Sequence, residues 1–325
     1  MSKIFAVFGA TGQQGGSVID HVLGNPLLAA IYKVRAITRD ITTVKAAQLR
    51  DQNVEVVHGD ADDRGSLNAA LAGVHSVFAM TMPAHRPSTV EQAVEAELCA
   101  ARNIADAAQT QGVAFFIFSS LLSPTALSHG RYTRFLPAEA KARAEQYIRG
   151  LAFPEGIAIF MPAYFMQNFV AAPFMPLLPE PGASASTTAR WTLTSHLPPS
   201  ARLALIDVAT DSGRFVGTIL ANPNRYRGKT VCAAAGQFTI PQVAAAMAAA
   251  TGKDIGYRQI PLDEYRAAIP PFVAEFLPDG LSAWTEFGYY GTDSDRLITE
   301  ALEDLHGSLV TTPADFFAAH PPKLE

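Results

Sequence analysis

The sequence predicts an α/β fold: a doubly wound parallel sheet followed by a smaller α+β cap. Three observations predict it. Bulky apolar runs alternate with helical patterns over the first half of the chain, as repeated βα units require. A glycine-rich turn follows the first of those runs directly. The alternation then breaks near Pro162, where the chain becomes rich in Pro, Met and Phe.

The elements follow in order. Residues 4–8 form a run too apolar for a half-exposed strand, which suits a parallel strand buried on both faces. Ser17-Val18-Ile19 and His21-Val22-Leu23 continue as a helix with an apolar face. A second strand is expected at 33–37 and a helix near 43–51. A third strand is expected at 54–57 and a helix near 64–71. A fourth strand at 76–80 precedes a long helix over 90–109. A fifth strand at 114–118, a helix near 138–149 and a sixth strand at 157–160 complete the alternation. Right-handed crossovers between parallel strands cover both faces of such a sheet. Residues 180–200, with their Pro, Gly, Ser and Thr, are expected to form a long loop. Short strands (230–232, 256–259) and helices (240–250, 262–268) are assigned to the cap, built from discontinuous pieces at the strand C-termini. The division expected is 1–161 for the first domain and 162–325 for the second. A later segment such as 201–222 is allowed to rejoin the first.

Gly9-Ala10-Thr11-Gly12-Gln13-Gln14-Gly15 is the feature that carries function. Glycines three apart let the chain turn tightly and bring bare backbone against a ligand. The helix that follows points unpaired N–H groups and partial positive charge at that ligand, which suits a pyrophosphate. A glycine triplet also serves plain turns; a strand before it and a helix after it favour dinucleotide binding. That makes the first domain a Rossmann domain, and Gly9, Thr11, Gly12, Gln13, Gln14 and Gly15 candidate cofactor residues.

The residue ending the second strand selects the dinucleotide. An acid there accepts from the 2′-hydroxyl of NAD, whereas a base accommodates the 2′-phosphate of NADP. Thr38-Arg39 stands at that point, with Lys45 on the next helix within reach of the same anion and Asp40 one residue late, expected to face away. NADP(H) is therefore the expected cofactor, the alternative being a solvated surface Arg39. Asp60 and Ala61 follow the third strand; Asp60 is placed either on the adenine amino group or at the N-cap of the next helix. Ala79, Met80 and Thr81 follow the fourth strand and are expected beside the riboses.

The bulk properties exclude several classes. With 325 residues, 49% of them hydrophobic and 17% charged, the chain has ample core and is not disordered. A net charge of −5 and a pI near 5.9 argue against a nucleic-acid partner bound through phosphates. Cys99 and Cys232 lie far apart and form no metal or redox motif, which fits a reducing, cytoplasmic setting. Met1-Ser2-Lys3 runs into the first strand, so no signal peptide is expected. The greasiest stretch, 157–178, is interrupted by Pro162, Gln167, Asn168 and Pro173 and makes a poor membrane span. No metal is expected, because no His/Cys/Asp cluster has ligand spacing. Ser119-Ser120 lacks a Gly-x-Ser-x-Gly elbow, which argues against a hydrolase triad.

The glycine turn with Gly16, Val34-Arg35-Ala36-Ile37-Thr38-Arg39, Gly59-Asp60 and Pro162-Ala163-Tyr164-Phe165-Met166-Gln167-Asn168 together resemble the NmrA-like group of atypical short-chain dehydrogenases/reductases. Phe287-Gly288-Tyr289-Tyr290-Gly291 is similar to a late aromatic segment of some members. The resemblance spans nearly the whole chain. It implies a Rossmann domain, NADP(H) binding and a small α+β cap with a cleft between them. The group includes redox-sensing regulators, quinone-type reductases and fungal biosynthetic enzymes, so membership leaves activity open.

Typical short-chain dehydrogenases place a Tyr four residues before a Lys, with a Ser after the fifth strand. Here Ser119-Ser120 and Lys141 are present, but Pro137 stands where the Tyr would be. The resemblance makes Lys141 the ribose anchor, with Ser119 beside the cofactor, and leaves the proton without its usual donor. Tyr132, His129 and His85 are the nearest candidates, with Tyr132, Ser120 and Lys141 the assigned catalytic group; each also has an ordinary surface or packing alternative. Arg131, Arg134 and Arg143 either touch phosphate or only balance Glu139 and Glu145.

Pro162, Tyr164 and Phe165 begin where the sixth strand leaves the sheet, beside the expected nicotinamide position. Met82, Phe165, Met166 and Trp284 are assigned to a substrate pocket, with Phe169, Phe174, Trp191, Phe287, Tyr289 and Tyr290 adding aromatic surface. Such walls suit an apolar organic substrate; the alternative is ordinary interdomain core. Two functions remain: an NADP(H)-dependent enzyme of small-molecule metabolism, by hydride transfer or acid–base rearrangement, or a non-catalytic NADP(H) sensor that binds a protein partner.

Overall fold

The structure is a computed structural model and describes residues 2–82, 89–170, 174–179 and 190–324. His85 lies outside the described residues. In chain order, β1 (Lys3–Phe8), α1 (Gln13–Gly24), α2 (Pro26–Ile31), β2 (Tyr32–Thr38), α3 (Val44–Asp51), β3 (Glu55–His58), α4 (Arg64–Leu71) and β4 (Ser76–Ala79) form the first half of the sheet layer. α5 (Val90–Thr110), β5 (Phe115–Ser119), α6 (Pro124–Leu127), α7 (Leu136–Arg149) and β6 (Gly156–Pro162) form the second. Beyond them come β7 (Tyr164–Phe165), a 3₁₀ turn (Met166–Phe169), β8 (Leu177–Pro179), β9 (Trp191–Ser195), β10 (Arg202–Ile206), α8 (Val208–Ala221) and α9 (Pro223–Tyr226). The chain ends with β11 (Thr230–Ala233), β12 (Gly236–Thr239), α10 (Ile240–Thr251), β13 (Ile255–Gln259), α11 (Leu262–Ala268), α12 (Pro271–Ala274), α13 (Leu277–Glu286), α14 (Ser294–Glu303) and α15 (Pro313–Ala319).

Among the described residues, a seven-stranded sheet has the order β11-β6-β5-β4-β1-β2-β3. All its pairings are parallel. The chain winds outward from β1 through β2 to β3, then returns to the other side of β1 for β4. That reversal puts a topological switch point between β1 and β4, where open sheets bind ligands at strand C-termini. The apolar runs explain the central strands: Phe5, Ala6 and Val7, Val77 and Phe78, and all five residues of β5 are buried.

Helix starts follow from short polar side chains. Thr43, Asp63, Thr89 and Asp207 each accept backbone N–H bonds in the first turn of α3, α4, α5 and α8. Thr239 and Thr312 form full capping boxes on α10 and α15.

Two expectations are corrected. Thr230-Val231-Cys232 is not part of the cap. It belongs to β11, which pairs with β6 and forms the edge of the large sheet. The stretch expected as a loop over 180–200 contains β9, all five residues of which are buried; residues 180–189 lie outside the described residues. Two smaller sheets, β12-β10-β7 and β13-β9-β8, make up the strands of the remainder. α8 also returns to the large sheet, packed on α1: Ser17 Oγ donates to Thr210 O (3.0 Å) and accepts from Gly213 N (2.9 Å). Gln167 clamps the start of α8, donating to Asp207 Oδ1 (2.6 Å) and accepting from Val208 N (3.3 Å).

Candidate functional site

The glycine turn sits at the C-terminal end of β1, on the switch point. Gly9 has φ +65°, a backbone conformation that favours glycine, and its carbonyl accepts from Gly12 N (2.8 Å). A Cβ on Gly15 would lie 2.3 Å from Gly9 O, so the helix closes on the turn only because Gly15 has no side chain. Gly12 begins α1 without a capping side chain, which leaves the first-turn amides facing outward from the turn. Gln14 Oε1 accepts from Ser119 Oγ (2.7 Å) and ties the turn to the end of β5. Gln13 and Thr11 stand at the surface of the turn.

At the end of β2, Arg39 is exposed and makes no ion pair among the described residues. Lys45 reaches from α3 to donate to Thr11 O (2.9 Å), so its ammonium flanks the glycine turn, and Arg39 follows the last residue of β2. Thr38 Oγ1 accepts from Asp40 N (3.3 Å). Asp40 turns its carboxylate onto the Thr42 hydroxyl (2.6 Å) and amide (2.8 Å), away from the strand end. Those bonds hold its carboxyl below the usual range. Asp60 does not cap α4. Its Oδ1 accepts from Asp62 N (3.1 Å), while Asp63 is the cap. Ala61 is half-buried and its carbonyl accepts from Asn103 Nδ2 (2.8 Å).

The ends of β4, β5 and α7 converge beside the turn. Ala79 is buried, and Met80 lies over Gly9, its Sδ 2.6 Å from where a Cβ would stand. Ser119 and Ser120 are buried; Ser120 Oγ donates to Lys141 O (3.4 Å). Lys141 Nζ donates to Thr81 O (2.9 Å), Thr81 Oγ1 (3.3 Å) and Glu97 Oε1 (2.7 Å). Glu97 is a residue that sequence reasoning missed, although a signal existed. Helical spacing puts it in line with Ala101, Ile104 and Ala108, all buried, and a carboxylate on that stripe needs a partner.

Tyr132 sits elsewhere. Its hydroxyl donates to Glu286 on α13, and Arg131 pairs with the same carboxylate (2.7 Å). Burial and that hydrogen bond push the Tyr132 phenol up. Among the described residues, the Tyr132 hydroxyl is bonded to Glu286 and not to Lys141 or Ser120. His129 is exposed, with φ +53°.

The residues assigned to a substrate wall separate by exposure. Met82 is 65% exposed and Phe165 half-buried, whereas Met166 is fully buried and Trp284 nearly so. Trp284 packs on Phe135 and Tyr289 (ring centroids 4.8 Å from each) and lies 6.4 Å from Tyr164. Tyr164 is buried, and its hydroxyl finds no hydrogen bond among the described residues; burial raises its pKa. Pro162 ends β6 opposite Ala233. Tyr290 OH bolts the late aromatic segment to the carbonyls of Met161 (3.0 Å) and Ala233 (3.1 Å), at the ends of β6 and β11. Trp284 also borders a cavity of about 460 Å³ with His196, Arg202, Gln237, Ser282 and Glu286. His196 Nε2 contacts Ser282 Oγ (2.9 Å), and burial lowers its pKa to about 4.

The strand order, with a glycine turn at its switch point, defines a Rossmann-type fold. The chain belongs to the NmrA-like family, whose model matches residues 1–311. It is 30% identical to the NmrA-like family domain-containing oxidoreductase cpsB of Aspergillus campestris, over 82% of this chain and 78% of that protein. Among solved structures, NmrA, a negative transcriptional regulator, superposes with a TM-score of 0.76 at 20% identity, covering 98% of this chain and 95% of the other. Triphenylmethane reductase of Citrobacter sp., solved in complex with NADP(H), superposes with a TM-score of 0.70 at 23% identity, covering 98% and 100%. No helix among the described residues is long and apolar enough to cross a membrane.

Proposed function

We propose that this protein binds NADP(H) and is an oxidoreductase acting on a small apolar organic molecule. One observation carries the reading: the turn at residues 9–15 closes to a backbone contact that a single methyl group would block, with Lys45 beside it and Arg39 following β2. A bare-backbone cradle at a helix start suits a pyrophosphate, and Arg39 at the end of β2, with Lys45 on the next helix, suits a 2′-phosphate. Its relatives include oxidoreductases by name, and Citrobacter triphenylmethane reductase was solved with NADP(H).

NADPH, when bound, supplies a hydride. The chain's residues do the rest. The first-turn amides of α1 hold the pyrophosphate, Arg39 and Lys45 the 2′-phosphate, and Lys141 Nζ meets the hydroxyls of the nicotinamide ribose. Pro137 offers no proton, and Tyr132 keeps its own in a bond to Glu286. Lys141 is therefore assigned to the ribose and not to the reacting oxygen, and among the described residues neither Pro137 nor Tyr132 replaces the usual donor.

The test has two stages. NADPH and NADH are titrated by fluorescence into the wild type and Arg39→Ala. NADPH is expected to bind the wild type more tightly, and the substitution to cost it about tenfold with NADH unchanged, since a charge-assisted hydrogen bond contributes roughly 1.5–3 kcal/mol. Equal affinities in the wild type would sink the cofactor assignment. NADPH oxidation is then followed across apolar carbonyls and quinones. A second reading, a cofactor sensor without turnover that binds a protein partner, is favoured by Pro137; it gains if no compound is reduced and partner binding differs between NADPH and NADP+.

A further inference from the structure

Glu97 is 2% exposed and Lys141 15%, so this ion pair is almost wholly withdrawn from water. Burying two charges costs desolvation that their attraction only about repays, so apolar packing would serve stability as well. The arrangement around the pair is more informative. Lys141 has three N–H donors, and three acceptors take them: Glu97 Oε1 at 2.7 Å, Thr81 O at 2.9 Å and Thr81 Oγ1 at 3.3 Å. The Thr81 hydroxyl spends its own proton on Glu97 Oε1 (2.8 Å), which turns its lone pair toward Lys141. One carboxylate oxygen thereby fixes both the ammonium and the hydroxyl at the end of β4. The fragments come from three elements: α5 brings Glu97, the β4 terminus Thr81 and α7 Lys141.

We propose that Glu97 is a positioning residue that holds the Lys141 ammonium for the ribose hydroxyls of a bound dinucleotide. The inference rests on the NADP(H) reading above. Of the three bonds at Lys141, the one to Thr81 Oγ1 is the longest, and it is the one a ribose hydroxyl replaces. Glu97 Oε1 and Thr81 O stay as the fixed anchors. Without the carboxylate, the Thr81 carbonyl alone is left to direct the charge on its flexible four-carbon stem.

A double-mutant cycle on NADPH affinity tests this, with thermal unfolding of each apo protein alongside. The variants are Glu97→Gln, Lys141→Met and the pair together. Lys141→Met is expected to weaken NADPH binding about tenfold and Glu97→Gln by roughly three- to tenfold, with no further loss when Glu97→Gln is added to Lys141→Met. A Glu97→Gln protein that binds NADPH like the wild type overturns the proposal, even if it melts lower, because its role is then structural only. An equal loss in both backgrounds also overturns it, because Glu97 then acts independently of Lys141. So does a Lys141→Met protein with wild-type affinity. If Glu97→Gln does not fold, Glu97→Asp, which keeps the charge but retracts it by one methylene, is carried through the same cycle with the same criteria. Failure of the wild type to bind NADPH is a different result: it removes the cofactor reading on which this one stands.

Discussion

His196 is neutral in the fold because burial disfavours its charged form, with Arg266 adding to that; the Asp279 carboxylate opposes it only in part. Its pKa falls from 6.5 to about 4. The unfolded chain therefore binds this proton at a higher pH than the native one does. The stabilisation is complete above about pH 6.5 and is lost as pH falls toward 4. We expect the wild type to lose about 2 kcal/mol more than His196→Asn between pH 7 and pH 4.5 in urea unfolding, at about 1.36 kcal/mol per pKa unit. Equal losses would assign the acid sensitivity to other groups. His196 also shows what single residues disclose in sequence. Gly9, Gly15 and Arg39 announce themselves because the motif is local: strand, turn, helix and next strand end lie within one βαβ unit. Lys141 is visible only through its offset from Pro137 and the family resemblance. Glu97 and His196 acquire their meaning from residues more than forty positions away. Glu97 is one of three glutamates on α5, and only its register with the buried alanines marks it.

At the scale of elements, the α1–α8 contact decides whether the glycine turn is held firmly. α8 comes so close to α1 that a Cβ on Gly213 would stand 2.1 Å from Ser17 O and 2.6 Å from His21 Cβ. The first of these is backbone, which cannot rotate aside. Gly213→Ala is expected to push the helices apart at a cost of about 1–3 kcal/mol and to weaken NADPH binding, because α1 carries the turn. Gly24, at the other end of α1, is exposed and has nothing within 4 Å of its Cβ position. Gly24→Ala should be neutral or stabilise by about 0.4–1 kcal/mol. Thermal unfolding of both variants checks the pair, and similar effects would mean the close approach is not what matters. The elements themselves were legible where caps and buried runs coincide: the helix expected at 64–71 is α4, Arg64–Leu71, begun by Asp63. β9 was not, because five buried residues alternating Thr with larger side chains follow a Pro- and Ser-rich stretch that reads as loop. β11 was assigned to the wrong sheet because its partner, β6, ends nearly seventy residues earlier and nothing local names it.

For the whole molecule, the return of β11 and α8 bears on whether the first half is a domain by itself. A fragment of residues 1–161 would end within β6 and leave that strand without its partner along Ile159, Phe160 and Met161. It would also strip from α1 the helix packed on Ser17 and His21, and delete Phe215, Val216 and Ile219 of α8, which are buried in the whole chain. Each large apolar side chain returned to water forgoes about 1.5–3 kcal/mol, and a domain has only about 5–15 kcal/mol to lose. An exposed, apolar edge strand adds a route to aggregation. The fragment is therefore expected to lack a cooperative urea transition and to associate in solution, whereas the full chain unfolds cooperatively and is further stabilised by NADPH through mass action. Circular dichroism in urea with light scattering distinguishes the cases. A monomeric fragment that unfolds cooperatively and still binds NADPH would mean that the first 161 residues fold independently. In that case β11 and α8 would be a covering layer and not part of the unit that builds the cofactor site.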